Sequence, residues 1–178
     1  MHNWILLAIV AYLFNAVNGV VDKFMLGGTV KHPIVYAFYT GVLSFAFIVF
    51  LPFGVSLLSP LGFLFAFIGG GSFAVALYYL YDAIQKTSIS RVLPIEGGFV
   101  PMFTLMLAFF VLAERLSPSQ YLSFIFLVIG AVIISIRRDE EGGVFHAQAI
   151  KPAIIAAVFF AASFVFTKYV YTEVGFWS

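Results

Sequence analysis

Residues Ala8–Leu26 read AIVAYLFNAVNGVVDKFML, and two features of this stretch decide the fold. It lies in an apolar run long enough to cross a bilayer, yet it carries Asn15, Asn18, Asp22 and Lys23. It also returns. Residues Ala153–Tyr171 read AIIAAVFFAASFVFTKYVY. Laid over each other without a gap, the two strings agree at Ala8/Ala153, Ile9/Ile154, Ala11/Ala156, Phe14/Phe159, Ala16/Ala161, Val20/Val165 and Lys23/Lys168, seven of nineteen positions. Ala, Ile, Val and Phe dominate both strings, so coincidental matches come easily. The aligned lysines carry the information, because only 10% of the chain is charged.

The totals set the class. Of 178 residues, 63% are hydrophobic, whereas soluble domains carry about 25% charged residues. A water-soluble fold could not hide that much apolar surface, so the chain reads as an all-α integral membrane protein. A net charge of +1 gives no electrostatic case for a nucleic-acid partner. Cysteine is absent, which removes disulfides, thiolate metal sites and cysteine nucleophiles. The first residues, MHNWILLAIV, lack the basic flank and cleavage site of a signal peptide and read as a retained first span.

A spanning helix needs roughly 20 mostly apolar residues. Six stretches are expected to span: Trp4–Leu26, Pro33–Phe53, Leu61–Ile84, Val92–Ala113, Tyr121–Ile136 (extending back to Pro118) and Pro152–Tyr171. Between them lie GGTVKHP, PFGVSLLSP, QKTSISR, ERLSPSQ and RRDEEGG, rich in turn residues and charge. Trp4, Tyr36, Tyr121 and Trp177 fall near span ends, where aromatic residues anchor at the interface. Helices follow because backbone polar groups in lipid must be satisfied internally. The alternation of a β-barrel strand over about ten residues is not seen.

If the two aligned helices are equivalent, the repeat unit holds five spans. An odd number makes the second unit enter the membrane from the opposite face, which is inverted-repeat transporter architecture. The expected organisation is a first repeat over residues 1–138, an inter-repeat loop over 139–150 and the start of a second repeat over 151–178. On that expectation the chain is a fragment, or a second repeat or partner chain completes the bundle.

ALYYLYDAIQKTSISRVLPIEGGFVPMFTLMLAFFVLAERLSPSQYLSFIFLVIGAVIIS (Ala76–Ser135) resembles the second half of an EamA repeat, of the ten-span drug/metabolite transporter superfamily. A tyrosine-bearing third helix ends in TSISRV. The fourth carries Pro101 near its middle and ends in AERLS, similar to the family's Gly-Glu-Arg-Leu-Ser. Gln120 and a fifth helix with Gly130 follow. Ala113 stands where the family usually has glycine, Ser123 where a glycine often follows the glutamine, and Glu96-Gly97-Gly98 is not part of the general pattern. The resemblance implies a transporter of small metabolites, amino acids or drug-like solutes in the cytoplasmic (plasma) membrane, working by alternating access, without cofactor or metal. Two rivals are a lipid-linked sugar flippase of the same fold and a non-transporting membrane subunit that needs a partner chain.

The candidate substrate-binding residues are Asn15, Asn18, Asp22, Tyr78 and Glu96. Asn15, Asn18 and Asp22, spaced i, i+3, i+7, share one helix face. At membrane depth such a stripe is expected to face the bundle interior or a water-filled cavity. Either it lines that cavity, or it bonds helix to helix for roughly 0.6–2 kcal/mol per contact. Lys23 also has the reach to snorkel to the interface. Glu96 lies among Pro94, Gly97, Gly98 and Pro101, and a Gly/Pro-interrupted span points to a transporter site. It could equally face interfacial water or pair with Arg91. In the third span, Gly69-Gly70-Gly71-Ser72 permits close backbone approach. Tyr78, Tyr81 and Asp82 follow, and a tyrosine there suits either metabolite binding or the interfacial belt. Glu114-Arg115 reads as a turn-stabilising ion pair.

No catalytic residue is expected. His2, His32 and His146 fall in flanks or loops, and HExxH, G-x-S-x-G and P-loop motifs are absent. The flanks of the first, third and fifth connections hold Lys23, Lys31, Lys86, Arg91, Arg137, Arg138 and Lys151, against Arg115 and Lys168 on the other side. The bias favours an outside N-terminus, whereas ten-span members are commonly drawn with both ends inside. The orientation stays open.

Overall fold

Three of the helices start on a proline, and two of those three also carry a side-chain cap. The structure, a computed structural model, describes residues 3–30, 32–46, 49, 58–113, 117–135 and 147–174. Its helices are α1 (Asn3–Phe24), α2 (Pro33–Ser44), α3 (Pro60–Lys86), α4 (Ile89–Leu112), α5 (Pro118–Ser135) and α6 (Ala147–Val174), and the described residues contain no strand. Proline stands at the first position of α2, α3 and α5, where its missing N–H costs nothing and its φ suits the helix. Ser59 caps α3, its hydroxyl accepting from the Gly62 N–H at 3.0 Å. Ser117 and Gln120 form a reciprocal capping box before α5. Gln120 Oε1 accepts from the Ser117 N–H at 2.8 Å, and Ser117 Oγ accepts from the Gln120 N–H at 3.4 Å.

Four helical stretches are long and apolar enough to cross a membrane by length and composition: Ile5–Thr29, Pro60–Lys86, Ile89–Leu112 and Gln148–Val174. The other two apolar helices, Pro33–Ser44 and Pro118–Gly130 within their described parts, are shorter. The remainder of the expected second span falls largely outside the described residues. So do Lys31, Glu114, Arg115, Arg137, Arg138, His146 and Trp177.

Two boundaries differ from the sequence reading and a third agrees with it. The first span does not run on as one α-helix to Leu26. It loosens at Met25–Thr29 into a π turn containing Gly27 and Gly28, closed by the Val30 N–H on Met25 O at 2.9 Å. The fifth helix does extend back to Pro118. α6 begins at Ala147, inside the stretch assigned to the inter-repeat loop. Ala147, Gln148 and Ala149 are good helix formers, and burial of Ala149 holds that first turn down.

The core lies along α3 and α6. Ala76, Leu77, Leu80, Tyr81, Ala83 and Ile84 of α3 pack with Ala153, Ala156 and Phe160 of α6 and Val92 of α4. Small side chains on α6 (Ala153, Ala156, Ala157 and Ala161 are all fully buried) let the backbones approach. The glycine run of α3 serves the same contact at one position. A Cβ on Gly69 would lie 3.3 Å from Thr167 Oγ1 and 3.6 Å from the Ser163 carbonyl, whereas Gly70 and Gly71 have open space. Phe65 stacks on Phe166 at 5.4 Å, Phe73 meets Phe160 edge-on at 5.5 Å, and the Ser59 N–H donates to Glu173 Oε1 at 2.6 Å. These pairs make α3 and α6 antiparallel.

α1 is arranged differently. Its C-terminal end touches the C-terminal end of α3, so the two run parallel, and most of its length is exposed. α1 and α6, the helices whose sequences align, therefore run in opposite senses.

Candidate functional site

The polar residues of the bundle separate into two places, one of them at the C-terminal end of α3. At its C-terminal end sits a hydrogen-bonded junction. Asp22 is 5% exposed. Its Oδ1 accepts from the Tyr36 hydroxyl at 2.8 Å, and its Oδ2 accepts from Asn18 Nδ2 at 3.3 Å. The Tyr36 ring lies against Tyr81, centroids 4.7 Å apart, and the Tyr81 hydroxyl is 3.4 Å from Thr40 Oγ1. Lys23 does not snorkel away from the bundle. Its ammonium donates to the carbonyls of Ile84 at 2.7 Å and Thr87 at 2.8 Å. The last carbonyls of a helix have no partner within it, and a cation there also meets the negative end of the macrodipole. Gln85 adds longer bonds to Leu26 O and Val30 O, both 3.4 Å. Gly19 brings α1 onto α4, since a Cβ there would come within 2.9 Å of Ile89 Cδ1. The C-terminal half of α1 is thus held by α2, α3 and α4 together.

Toward the other end lies space. A cavity of about 840 Å³ opens among α1, α4, α5 and α6. Pro101, Thr104, Leu105 and Ala108 of α4, spaced i, i+3, i+4, i+7, form one wall, and Gln120, Tyr121 and Phe124 of α5 another. Tyr12 comes from α1, and Phe164, Val165 and Lys168 from α6. The walls are mostly apolar. The hydroxyl oxygen of Thr104 is buried and has no hydrogen-bond partner among the described residues. A second cavity of about 510 Å³ lies between α3 and α6, lined by Gly70, Phe73, Ser163, Thr167 and Tyr171. Phe164 and Lys168, one turn apart on α6, line both.

Of the five residues singled out from the sequence, the structure joins Asn18 and Asp22 by a hydrogen bond. Asn15 is exposed on α1. Tyr78 is half-buried on α3, edge-on to Tyr79 at 5.0 Å. Glu96 is half-buried in α4, beyond Pro94. None of the five lines either cavity. Tyr81, weighed as an interfacial tyrosine, is 2% exposed in the core, and Asp82 pairs with Lys86 at 2.6 Å. The cavity residues Tyr12, Thr104, Gln120, Tyr121 and Lys168 were not selected as a site. The available signals were the lysine alignment, which marked Lys168, and the family motif, which contains Gln120.

The geometry is that of a membrane bundle pinned at one end and hollow toward the other. No curated protein and no solved structure matches the chain. The EamA-like transporter family matches residues 2–136, well over half the sequence, covering α1 through α5. The chain belongs to the EamA-like transporter family of multi-pass membrane proteins.

Proposed function

We propose that this protein moves a small metabolite, amino acid or drug-like solute across the cytoplasmic membrane by alternating access. The observation that carries the reading is the cavity of about 840 Å³, opposite a hydrogen-bonded junction that closes the other end of the bundle. Solute sites are typically concave, about 300–1,000 Å³, mostly apolar, and fitted with a few polar groups. A carrier also needs one closed end and one open end at a time.

The six apolar helices all cross the membrane in this proposal, and α6 opens a second, inverted five-helix unit. Support for that unit comes from comparing equivalent faces. α6 buries Ala156, Phe160 and Ala161 in the core, while the aligned positions on α1, Ala11, Asn15 and Ala16, are exposed. The second unit, in the same chain or in a partner, would cover that face of α1. It would bring Asn15 and Asn18 beside the solute route, with Asp22, Tyr78 and Glu96 meeting it as the two units rock.

Uptake into proteoliposomes containing the purified protein tests this, with a panel of labelled solutes. Asn18→Leu should reduce flux without reducing the amount of protein inserted. Unchanged flux would assign Asn18 to helix contacts alone. Translocation of labelled lipid without solute flux would favour the flippase, and activity only with an added partner chain the subunit.

A further inference from the structure

We propose that the smaller cavity, between α3 and α6, binds a free sugar or cyclic polyol, a saturated ring whose hydroxyls pair with Ser163 and Thr167. The inference goes beyond the solute site proposed above and does not need it, because it concerns the other of the two cavities. Helical hydroxyls elsewhere in this chain turn back on their own backbone. Thr40 donates to Tyr36 O, Ser44 to Thr40 O and Ser123 to Ser119 O, each at 3.0 Å and each one turn back. That is an ordinary outcome for Ser and Thr in a helix. Ser163 and Thr167 depart from it. Ser163 is 4% exposed, and neither side chain hydrogen-bonds to another residue among those described. Both line the cavity of about 510 Å³. Spaced i, i+4, they are neighbours on one face of α6, so both hydroxyls reach a single ligand. In the alignment of α6 on α1 they fall at the positions of Asn18 and Asp22. On α1 those positions are closed off by Tyr36 and by each other, whereas on α6 they open on a cavity.

The class of ligand follows from the hydroxyl chemistry. Each hydroxyl offers one proton and two lone pairs. A carboxylate would use only the protons and an ammonium only the lone pairs, whereas a hydroxyl on the ligand uses both. A ring with neighbouring hydroxyls therefore matches a serine and a threonine one turn apart. The rest of the wall suits the C–H faces of such a ring. Phe73, Phe164 and Tyr171 present aromatic surface, and Gly70 has nothing within 4 Å of the place a Cβ would take. Ser163 lies near the middle of α6, away from the interface where a lipid headgroup sits, so the ligand is a free solute.

The test uses the absence of cysteine from the chain. Gly70→Cys places a single thiol in the cavity, at a position with space for it. Its alkylation by a water-soluble maleimide is timed in phosphatidylcholine nanodiscs, with and without methyl glucoside. The sugar should slow the reaction several-fold. Tetrahydropyran, the same ring without hydroxyls, should need a concentration about five-fold higher or more to protect equally. Adding Ser163→Ala or Thr167→Val should raise the sugar concentration for half-protection about two- to ten-fold, the scale of one neutral hydrogen bond. Ser123→Ala, whose hydroxyl bonds its own helix, should leave it unchanged. An alkylation rate without sugar equal to that of Gly70→Cys alone shows that each added variant keeps its fold. A thiol that never reacts, no protection by methyl glucoside, equal protection by tetrahydropyran, or protection that survives loss of both hydroxyls would overturn the proposal. Protection seen only when glucosyl-diacylglycerol is built into the disc would also overturn it, by assigning the site to a lipid headgroup. Flux is measured separately. Sugar protection without flux of any solute leaves this inference standing and counts against transport. Flux of other solutes without sugar protection does the reverse.

Discussion

Lys23→Met removes one ammonium group and leaves an apolar stem of similar length, so it isolates what the charge does. In the structure that ammonium bridges two carbonyls at the end of α3, Ile84 O at 2.7 Å and Thr87 O at 2.8 Å. A hydrogen bond from a charged donor contributes about 1.5–3 kcal/mol net. Two would give about 3–6 kcal/mol, but Lys23 is half-buried and water can reach the vacated carbonyls. Halving for that screening leaves about 1.5–3 kcal/mol. For a chain of this size each kcal/mol shifts the melting temperature by about 2–4 °C, so the fall is about 3–12 °C.

Thermal unfolding of wild type and variant in one detergent measures it. Hydrogen exchange then reports whether protection is lost at both ends of the contact, the last turns of α1 and of α3. Failure to insert is not an alternative explanation, because removing a lysine from a spanning helix makes insertion easier. Lys86→Met is the control. Its ion pair with Asp82 at 2.6 Å lies within one exposed helix face, and such pairs contribute about 0–1 kcal/mol. The assignment of Lys23 as the pin would be refuted by equal melting shifts for the two variants, or by a Lys23→Met shift below about 1 °C.

Three further outcomes follow from single contacts. Ala113 ends α4 with φ 52°, in the left-handed region, which costs a non-glycine residue about 1–2 kcal/mol. Ala113→Gly should stabilise by about 0.5–1 kcal/mol after glycine's own entropy cost, seen as a melting temperature raised by a few degrees. Gly69→Leu should destabilise by about 1–3 kcal/mol by driving α6 off α3. Gly70→Leu, facing open space, should melt like wild type. Tyr36→Phe removes the donor to Asp22 and keeps the ring against Tyr81. It should cost about 1–3 kcal/mol, with faster exchange where α1 meets α2.

Helix type and membrane class were legible in the sequence, because composition and run length are properties of single segments. Lateral packing is a property of pairs, and there the sequence spoke only in part. The Gly69–Gly71 run announced a close approach, but only the fold reveals that Gly69 makes it and that α6 is the neighbour. Ala113 stood where the family usually has glycine, and its φ supplies the reason. The polar stripe of α1 pointed to Asn18 and Asp22 as a unit, and they are hydrogen-bonded. The stripe could not name Tyr36 as the partner of Asp22, because nothing local marks a tyrosine on the next helix. Thr104 was invisible for a different reason. A lone threonine in a greasy helix is ordinary until its hydroxyl proves to be buried against a cavity without a partner.

The aligned lysines make the same point about function. Lys23 and Lys168 occupy one register on two similar helices, which invites the idea of one shared job. Their surroundings assign two. Lys23 meets the bare carbonyls of a helix end, and its ammonium is consumed by structure. Lys168 lies along the middle of the α3–α6 contact, where the helices leave cavities on both sides of it. The difference follows from direction. α1 runs parallel to α3 and delivers its lysine to the end of that helix. α6 runs antiparallel and delivers the equivalent residue back along the N-terminal half of α3, beside Gly70 and Phe73. Two copies of a pattern inserted in opposite senses therefore meet different chemistry without any change in the lysine itself. If that account is right, exchanging the residues should be asymmetric. Lys23→Met should lower stability and speed amide exchange in the last turns of α1 and α3. Lys168→Met should leave exchange at that junction as in wild type, because Lys168 lies beside Gly70 and Phe73 instead. A variant pair that failed in the same assay to the same degree would mean that direction does not separate the two roles.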